Sequence, residues 1–315
     1  MRRNDSCQIL LLRESALRKI SRLGEISFAY HERLVEMTRL TGEDIKDIGT
    51  TLKEYDESLL KKTGRPLKQI AIQAAGISEK VFGDALALNV VAVVQITCGQ
   101  GMIEGFAESV RSILYYLGAR VLRPEGADIA GIAEAVEKGA TVIFCSDDDR
   151  FVAINLPLLR VADNTEATAK GYVTALELMA GGLSNREVLV IGGAGQLGWK
   201  AVGLLETKGA KVAAFDVNQS KLKELTKGQK TGVERDLEEA LRRHSIFFDA
   251  SPASNIIRSE HVRPETLLAA PGIPLGCTME AYDLVKDRLI HDPLQIGVAT
   301  MLAEVVRHPG IPDPS

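Results

Sequence analysis

Val188-Leu189-Val190-Ile191-Gly192-Gly193-Ala194-Gly195-Gln196-Leu197-Gly198 decides how this chain is read. A short run of buried-strand residues feeds straight into Gly193-x-Gly195-x-x-Gly198, and a helix-compatible segment continues to Gly209. Lys211 to Asp216 then reads as a second strand ending in an acid. The spacing has a mechanical reason. Gly193 is expected to make the strand-to-helix turn, Gly195 to let the backbone approach a pyrophosphate, and Gly198 to let the helix lie close to the strand. Free N–H groups at the helix start, around Gln196 and Leu197, would face the phosphates. Asp216 stands where a carboxylate can accept hydrogen bonds from an adenosine ribose. A bare glycine triplet also describes a packing turn, but strand, triplet, helix, strand and acid in this order describe a dinucleotide site. Asp216 further predicts NAD rather than NADP, because its charge would meet a 2′-phosphate and no arginine follows at Val217 or Asn218.

The 315 residues are enough for two domains with proper cores. A hydrophobic share of 45%, a charged share of 25% and a net charge of −4 suit a soluble globular protein without a basic footprint for nucleic acid. No apolar run approaches the roughly 18 residues of a membrane span. Ile9 to Leu12 is too short for a signal peptide. Cys7, Cys98, Cys145 and Cys277 lack metal or disulfide spacing, so a cytoplasmic protein with reduced thiols is expected.

Outward from the fingerprint, the chain divides into four stretches. Residues 1–36 form an extension, 37–163 a helical and α/β substrate domain, 164–306 the dinucleotide half with a C-terminal helix, and 307–315 a loose tail. Ile45, Ile48, Leu52, Tyr55 and Leu59 recur at helical spacing, and Leu67 to about Ala75 continues as a second helix. From Asn89 the period changes. Strands are predicted at Val90–Ile96, Arg120–Leu122 and Thr141–Cys145, alternating with helices at Met102–Leu117 and Ile129–Glu137, which implies a parallel layer. Asn164 to Met179 makes a long helix joining the two halves. Pro293 to Val306 should be a helix that packs back on the first domain. The fold class is therefore α/β: a C-terminal Rossmann domain plus a smaller N-terminal α/β domain with leading helices.

Three groups of residues at predicted strand ends could carry chemistry. Thr97-Cys98-Gly99-Gln100-Gly101 reads either as an anion-binding turn facing the cleft or as a plain β-to-α packing turn. Asp147, Asp148 and Asp149 could hold a metal, cap a helix, or hold and deprotonate a cationic amine; no other acid or histidine cluster supports the metal. The loops Asp249-Ala250-Ser251-Pro252 and Ala270-Pro271-Gly272-Ile273-Pro274 would flank the nicotinamide end of a cofactor, with Ser251, Pro252 and Pro271 against it, on fold analogy. His31, His244, His261, His291 and His308 read as surface residues.

These pieces together resemble the PylD family of dehydrogenases. The matching blocks are Thr97 to Phe106, Asp147-Asp148 with Phe151 and Asn155-Leu156, Asn164, the glycine fingerprint, Ala250-Ser251-Pro252, Pro271 to Pro274 and Pro293 to Gly297. The likeness runs from about Met37 to Val306. It implies NAD-dependent oxidation of the terminal amine of 3-methylornithyl-N6-lysine, loss of ammonia, and ring closure to pyrrolysine. It also implies that Asp147 and Asn164 belong to the substrate site, lined by Leu40 and Ile296 with Cys98 and Gly101 beside them; Asp147 is the best-placed candidate for the catalytic acid. Cys98 departs from the family's serine, and residues 1–36 have no counterpart.

A protonated amine, with a reference pKa near 10.4, has no lone pair with which to expel a hydride and must first lose a proton to a nearby base. An acid in the cleft meets that need independently of the resemblance. The competing readings are another Rossmann dehydrogenase acting on a different amino acid or 2-oxo acid, and a dinucleotide sensor without turnover. A small-molecule substrate is expected, with no nucleic acid or membrane partner; a homodimer is compatible with the sequence.

Overall fold

The computed structural model describes residues 40–307, and these form one compact unit. The extension, Met37 and the tail from His308 lie outside the described residues. The chain opens with helices α1 (Gly42–Ile45), α2 (Ile48–Thr63), α3 (Leu67–Ala75) and α4 (Glu79–Leu88). Next come β1 (Val90–Val93), α5 (Phe106–Tyr116), β2 (Arg120–Leu122), α6 (Asp128–Glu137), β3 (Val142–Ser146), β4 (Phe151–Asn155) and β5 (Arg160–Asp163). The long helix α7 (Asn164–Ala180) leads to β6 (Glu187–Ile191), α8 (Gln196–Thr207), β7 (Lys211–Phe215), α9 (Gln219–Leu225), β8 (Gly232–Val233) and α10 (Leu237–Arg243). The last elements are β9 (Ile246–Asp249), β10 (Leu267–Ala269), α11 (Met279–Val285), β11 (Leu289–Ile290) and α12 (Gln295–Val305).

Two sheets result. The second has order β11-β10-β9-β6-β7-β8 with every neighbour parallel, the doubly wound Rossmann arrangement in which the order reverses between β6 and β9. The first has order β2-β1-β3-β4-β5. Its β1, β2 and β3 are parallel as expected, but β4 and β5 are antiparallel, which corrects the purely parallel reading. The acidic turn closes a β3–β4 hairpin and does not start a helix. Phe151, Ala153 and Asn155 are buried while Val152 and Ile154 are half-exposed, the alternation of a strand with one covered face.

Several boundaries also move. β1 ends at Val93, short of Ile96, because Gly99–Met102 forms a 3-10 turn and α5 begins only at Phe106. Helix α4 was not anticipated; Ser78 caps it by accepting from the Val81 N–H, and it buries Phe82 and Leu86.

Helices α7 and α12 form the spine of the unit, buried nearly all round. They approach closely because glycines face each other's side chains. A Cβ on Gly171 would lie 2.3 Å from Ile296 Cγ2, and one on Gly297 would lie 2.6 Å from Thr168 Oγ1. The Asn155 amide donates to the Val305 carbonyl at 3.1 Å, and Lys170 pairs with Glu304 at 2.5 Å, so α12 does pack back on the first sheet.

Candidate active site

The strand-to-helix turn of the fingerprint is built one residue earlier than its spacing suggested. Gly192, not Gly193, takes the left-handed backbone (φ 79°). Both residues donate their N–H to the Phe215 carbonyl of β7, at 2.9 and 3.0 Å. Gly193 instead presses on the neighbouring strand, where a Cβ would meet that of Ala214 at 2.8 Å. Gly198 behaves as expected: a Cβ there would lie 2.2 Å from the Gly192 carbonyl, so no other residue lets α8 lie so close. Gly195 is the residue before α8, and Gln196 and Leu197 open the helix with N–H groups that lack intrahelical partners. Asp216 leans over this turn, accepting from Ala194 N–H at 2.9 Å and Asn218 N–H at 2.8 Å, one on each oxygen. Each oxygen keeps a further lone pair for a hydroxyl. A cradle free of side chains, exposed helix-start amides and an oriented carboxylate fit a dinucleotide.

Across the order reversal lie the ends of β9 and β10. Ser251 is buried, Pro252 exposed and Pro271 half-buried. The Ala250–Ser251 backbone passes within 3.0 Å of where a Gly192 Cβ would stand, so this turn borders the cradle directly.

At the ends of β1 and β3 and the start of α7, contacts run from the Cys98 turn through Asp147, Arg150 and Asp163 to Asn164. Gly99 and Gly101 are glycines for packing: a Cβ on Gly99 would lie 2.4 Å from the Asp147 backbone, and one on Gly101 would lie 2.8 Å from the Ser146 carbonyl. The Cys98 turn and the Asp147 turn are thus pressed together at adjacent strand ends. Both glycines are needed for backbone-to-backbone contact, so the geometry of this turn favours the packing reading. Cys98 is half-buried.

Asp147 is exposed, and its Oδ1 accepts from the N–H groups of Asp149 and Arg150, both at 2.8 Å. Its Oδ2 has no hydrogen-bond partner among the described residues. Arg150 then reaches Asp163, donating from Nε and a terminal nitrogen at 3.0 Å each, which ties the acidic hairpin to the start of α7. Asn164 follows there, half-buried, its Oδ1 accepting from Thr168 Oγ1 at 3.3 Å and standing 2.8 Å from where a Gly297 Cβ would be. Ile296, next to Gly297, is wholly buried against Gly171, and Leu40 is buried two residues before Gly42, which packs on Glu104.

Three polar features were not legible in the sequence. Asp128, with a left-handed backbone (φ 52°), holds Thr97 with both oxygens, at 2.8 Å to its N–H and 2.5 Å to its hydroxyl. Asp292 is buried before α12 and accepts from Tyr55 at 2.5 Å and from Tyr172 at 3.0 Å, pinning α2, α7 and α12 together. Burial pushes its carboxyl up, against the lowering effect of those donors. Asp249, at the end of β9, is the third: burial pushes its carboxyl up to about 6.

The histidine reading needs correction. His244 and His261 are buried beneath loops of the second sheet. His261 accepts from Arg258 N–H at 3.1 Å and lies 2.9 Å from Glu238, so both ring nitrogens are engaged. Its ligand atoms group with those of Glu238 and Glu260, but Arg258 pairs with both acids, and the cluster reads as a salt-bridged cap. His291, half-buried, contacts the Ala270 carbonyl.

The chain is 30% identical over 271 residues to the pyrrolysine synthase of Methanosarcina acetivorans, covering 86% of this chain and 100% of that protein. It belongs to the pyrrolysine synthase, or PylD, family. The Methanosarcina barkeri pyrrolysine synthase is similar at 30% over 274 residues, 86% of this chain and 99% of that one. The family model for the N-terminal domain of the pyrrolysine biosynthesis protein PylD matches residues 44–162. The model for the C-terminal domain of alanine dehydrogenase/PNT matches residues 159–262. These two matches overlap at residues 159–162, on β5 just before α7. The quinate dehydrogenase from Corynebacterium glutamicum in complex with NAD aligns at TM-score 0.49 and 11% identity, over 69% of this chain and 93% of that one. Among the described residues no helix is long and apolar enough to cross a membrane.

Proposed function

We propose that this chain is an NAD-dependent amine dehydrogenase that forms pyrrolysine from 3-methylornithyl-N6-lysine. The observation that carries the reading is the relation to pyrrolysine synthases over their whole length, joined to a cradle that fits a dinucleotide. The bound nicotinamide would supply the hydride acceptor, held by Gly193, Gly195, Gln196, Leu197, Gly198 and Asp216, with Ser251, Pro252 and Pro271 on its far side. Asp216 supports NAD over NADP, since its remaining lone pairs suit ribose hydroxyls and its charge opposes a phosphate.

Asp147 is the residue we assign to the proton. Its Oδ1 is committed to the hairpin turn, which leaves Oδ2 to attract the substrate's ammonium and accept its proton. Asn164 orients the substrate from the start of α7, with Leu40, Cys98, Gly101 and Ile296 shaping the surroundings. The deprotonated amine's carbon then gives up a hydride to leave an iminium. Water adds, ammonia departs, and the aldehyde condenses with the neighbouring amine, losing one water to close the ring. The test is mass spectrometry of the product from 3-methylornithyl-N6-lysine and NAD⁺. Pyrrolysine with stoichiometric NADH is the expected result. Unchanged substrate beside turnover of another amino acid would sink the assignment.

A further inference from the structure

Asp249 is the last residue of β9 and pairs in register with Ile191, the last residue of β6. Its Oδ1 accepts from the Ser251 hydroxyl at 2.7 Å and from the Ser251 N–H at 3.0 Å. The turn so held is wedged between two backbones: Gly192 on one side, and Gly272, whose Cβ would lie 2.2 Å from the Ser251 carbonyl, on the other. Asp249 Oδ2 is buried with no hydrogen-bond partner among the described residues. Gly276 lacks a side chain at the place where that oxygen lies, 2.2 Å from its would-be Cβ.

A buried carboxylate oxygen without a donor is costly, by about 1–3 kcal/mol or more for a charged group, so a native protein that keeps one calls for a reason. Among the described residues, the groups around it supply no positive charge. β6 brings Ile191 and Gly192, β10 brings Ala269 and Ala270, and the following loop brings Gly276 and Cys277. The Cys277 thiol is pushed up to about 12, by burial first and then by the Asp249 charge, and is neutral. His291, beyond β10, is engaged with the Ala270 carbonyl. A cationic ligand at this sheet edge would supply the charge that the described residues do not.

In a doubly wound sheet the adenosine half of a dinucleotide lies on the β6–β7 side, where Asp216 stands, and the other half crosses to β9 and β10. The two redox forms differ there by one charge, the oxidised nicotinamide ring being cationic and the reduced ring neutral. We infer that Asp249 is a positioning residue that holds the Ser251 turn at the cofactor's nicotinamide end and whose buried charge makes the site prefer the oxidised over the reduced dinucleotide. This rests on the dinucleotide reading above. A carboxyl pushed up to about 6 by burial loses its charge in mild acid, whereas a cation beside it restores the charged form. NAD⁺ binding therefore expels the proton and weakens as pH falls; NADH binding does not.

The experiment is titration of the full chain with NAD⁺ and with NADH separately, by calorimetry and by NADH fluorescence, from about pH 8 to about pH 5. NAD⁺ affinity should fall on the order of tenfold and NADH affinity by less than about twofold. In Asp249→Asn, which can still accept from Ser251, the NAD⁺ slope should vanish while NADH still binds. Parallel slopes for the two forms in the wild type would overturn the inference, and that comparison stands even if the variant fails to fold. Persistence of the slope in Asp249→Asn would also overturn it. A wild type that binds neither form would overturn the dinucleotide reading itself, and this inference with it.

Discussion

Replacing Asp147 separates two jobs that the structure assigns to its two oxygens. Oδ1 closes the β3–β4 hairpin through the N–H groups of Asp149 and Arg150, both at 2.8 Å. Oδ2 is the oxygen proposed to take the substrate's proton. Asp147→Asn keeps an oxygen acceptor for the turn and removes the charge. Asp147→Ala removes both functions. Intramolecular hydrogen bonds contribute about 0.5–1.5 kcal/mol each. Two of them lost, at about 2–4 °C per kcal/mol for a domain of this size, lower the melting temperature by roughly 2–12 °C. The asparagine variant should melt within about 2 °C of the wild type, since its turn is intact. Both variants should lose about 10²–10⁴-fold in turnover, the range of a general base. Asp149→Asn, whose backbone serves the turn but whose carboxylate has no such role, should stay within a few-fold of wild type. The assays are differential scanning fluorimetry and steady-state oxidation of 3-methylornithyl-N6-lysine. Full activity in Asp147→Asn would remove Asp147 from the mechanism and shift attention to Asp148. A melting loss in Asp147→Asn equal to that of Asp147→Ala would show that charge holds the hairpin, refuting the division between the oxygens.

Three further outcomes are expected. Gly198→Ala places a Cβ 2.2 Å from the Gly192 carbonyl, so NADH affinity measured by fluorescence should fall about 5- to 150-fold through overpacking worth roughly 1–3 kcal/mol; unchanged affinity would mean that α8 can slide away freely. Wild-type catalytic efficiency should favour NAD over NADP, and Asp216→Ser should narrow that gap by relieving a repulsion of on the order of 4 kcal/mol at most; equal wild-type efficiencies would defeat the role given to Asp216. Tyr55→Phe removes a donor from buried Asp292 at a cost of about 1–3 kcal/mol. Burial already raises the Asp292 carboxyl, so the native state holds an extra proton above the ordinary carboxylate range, and stability falls as pH rises through that window. Losing the Tyr55 donor raises the carboxyl further, so urea unfolding should show a larger deficit at about pH 8 than at about pH 5; equal deficits would refute the coupling.

The Rossmann half was written plainly along the chain because its signals are local. The Val188–Ile191 run, the glycine spacing and the acid at Asp216 lie within a single strand–helix–strand unit, and each acts on backbone only a few residues away. Even there the left-handed turn fell on Gly192 where Gly193 was expected, since either glycine permits it and the approach of Ala214 on β7 decided between them. The first sheet was half legible. Its parallel strands announced themselves by alternation with helices, but three consecutive acids do not say whether they start a helix or turn a hairpin. Pairing of β4 against β3, and of β5 against β4, answered that.

The buried polar groups needed the whole fold. Tyr55 has the spacing of an ordinary apolar position, and its partner Asp292 lies more than two hundred residues away. His261 is flanked by Glu260 and Arg263 and reads as surface, yet Glu238 from another helix meets its ring as it is covered. Asp249 is one more acid at a strand end until β6, β10 and the Gly276 loop close over it. Sequence alone determined which segments could be strand, turn or helix, and that a dinucleotide cradle was present, because backbone preference and periodicity act over a few residues. Tertiary structure alone decided which charges lose their water, because desolvation depends on segments that meet only when the chain has folded.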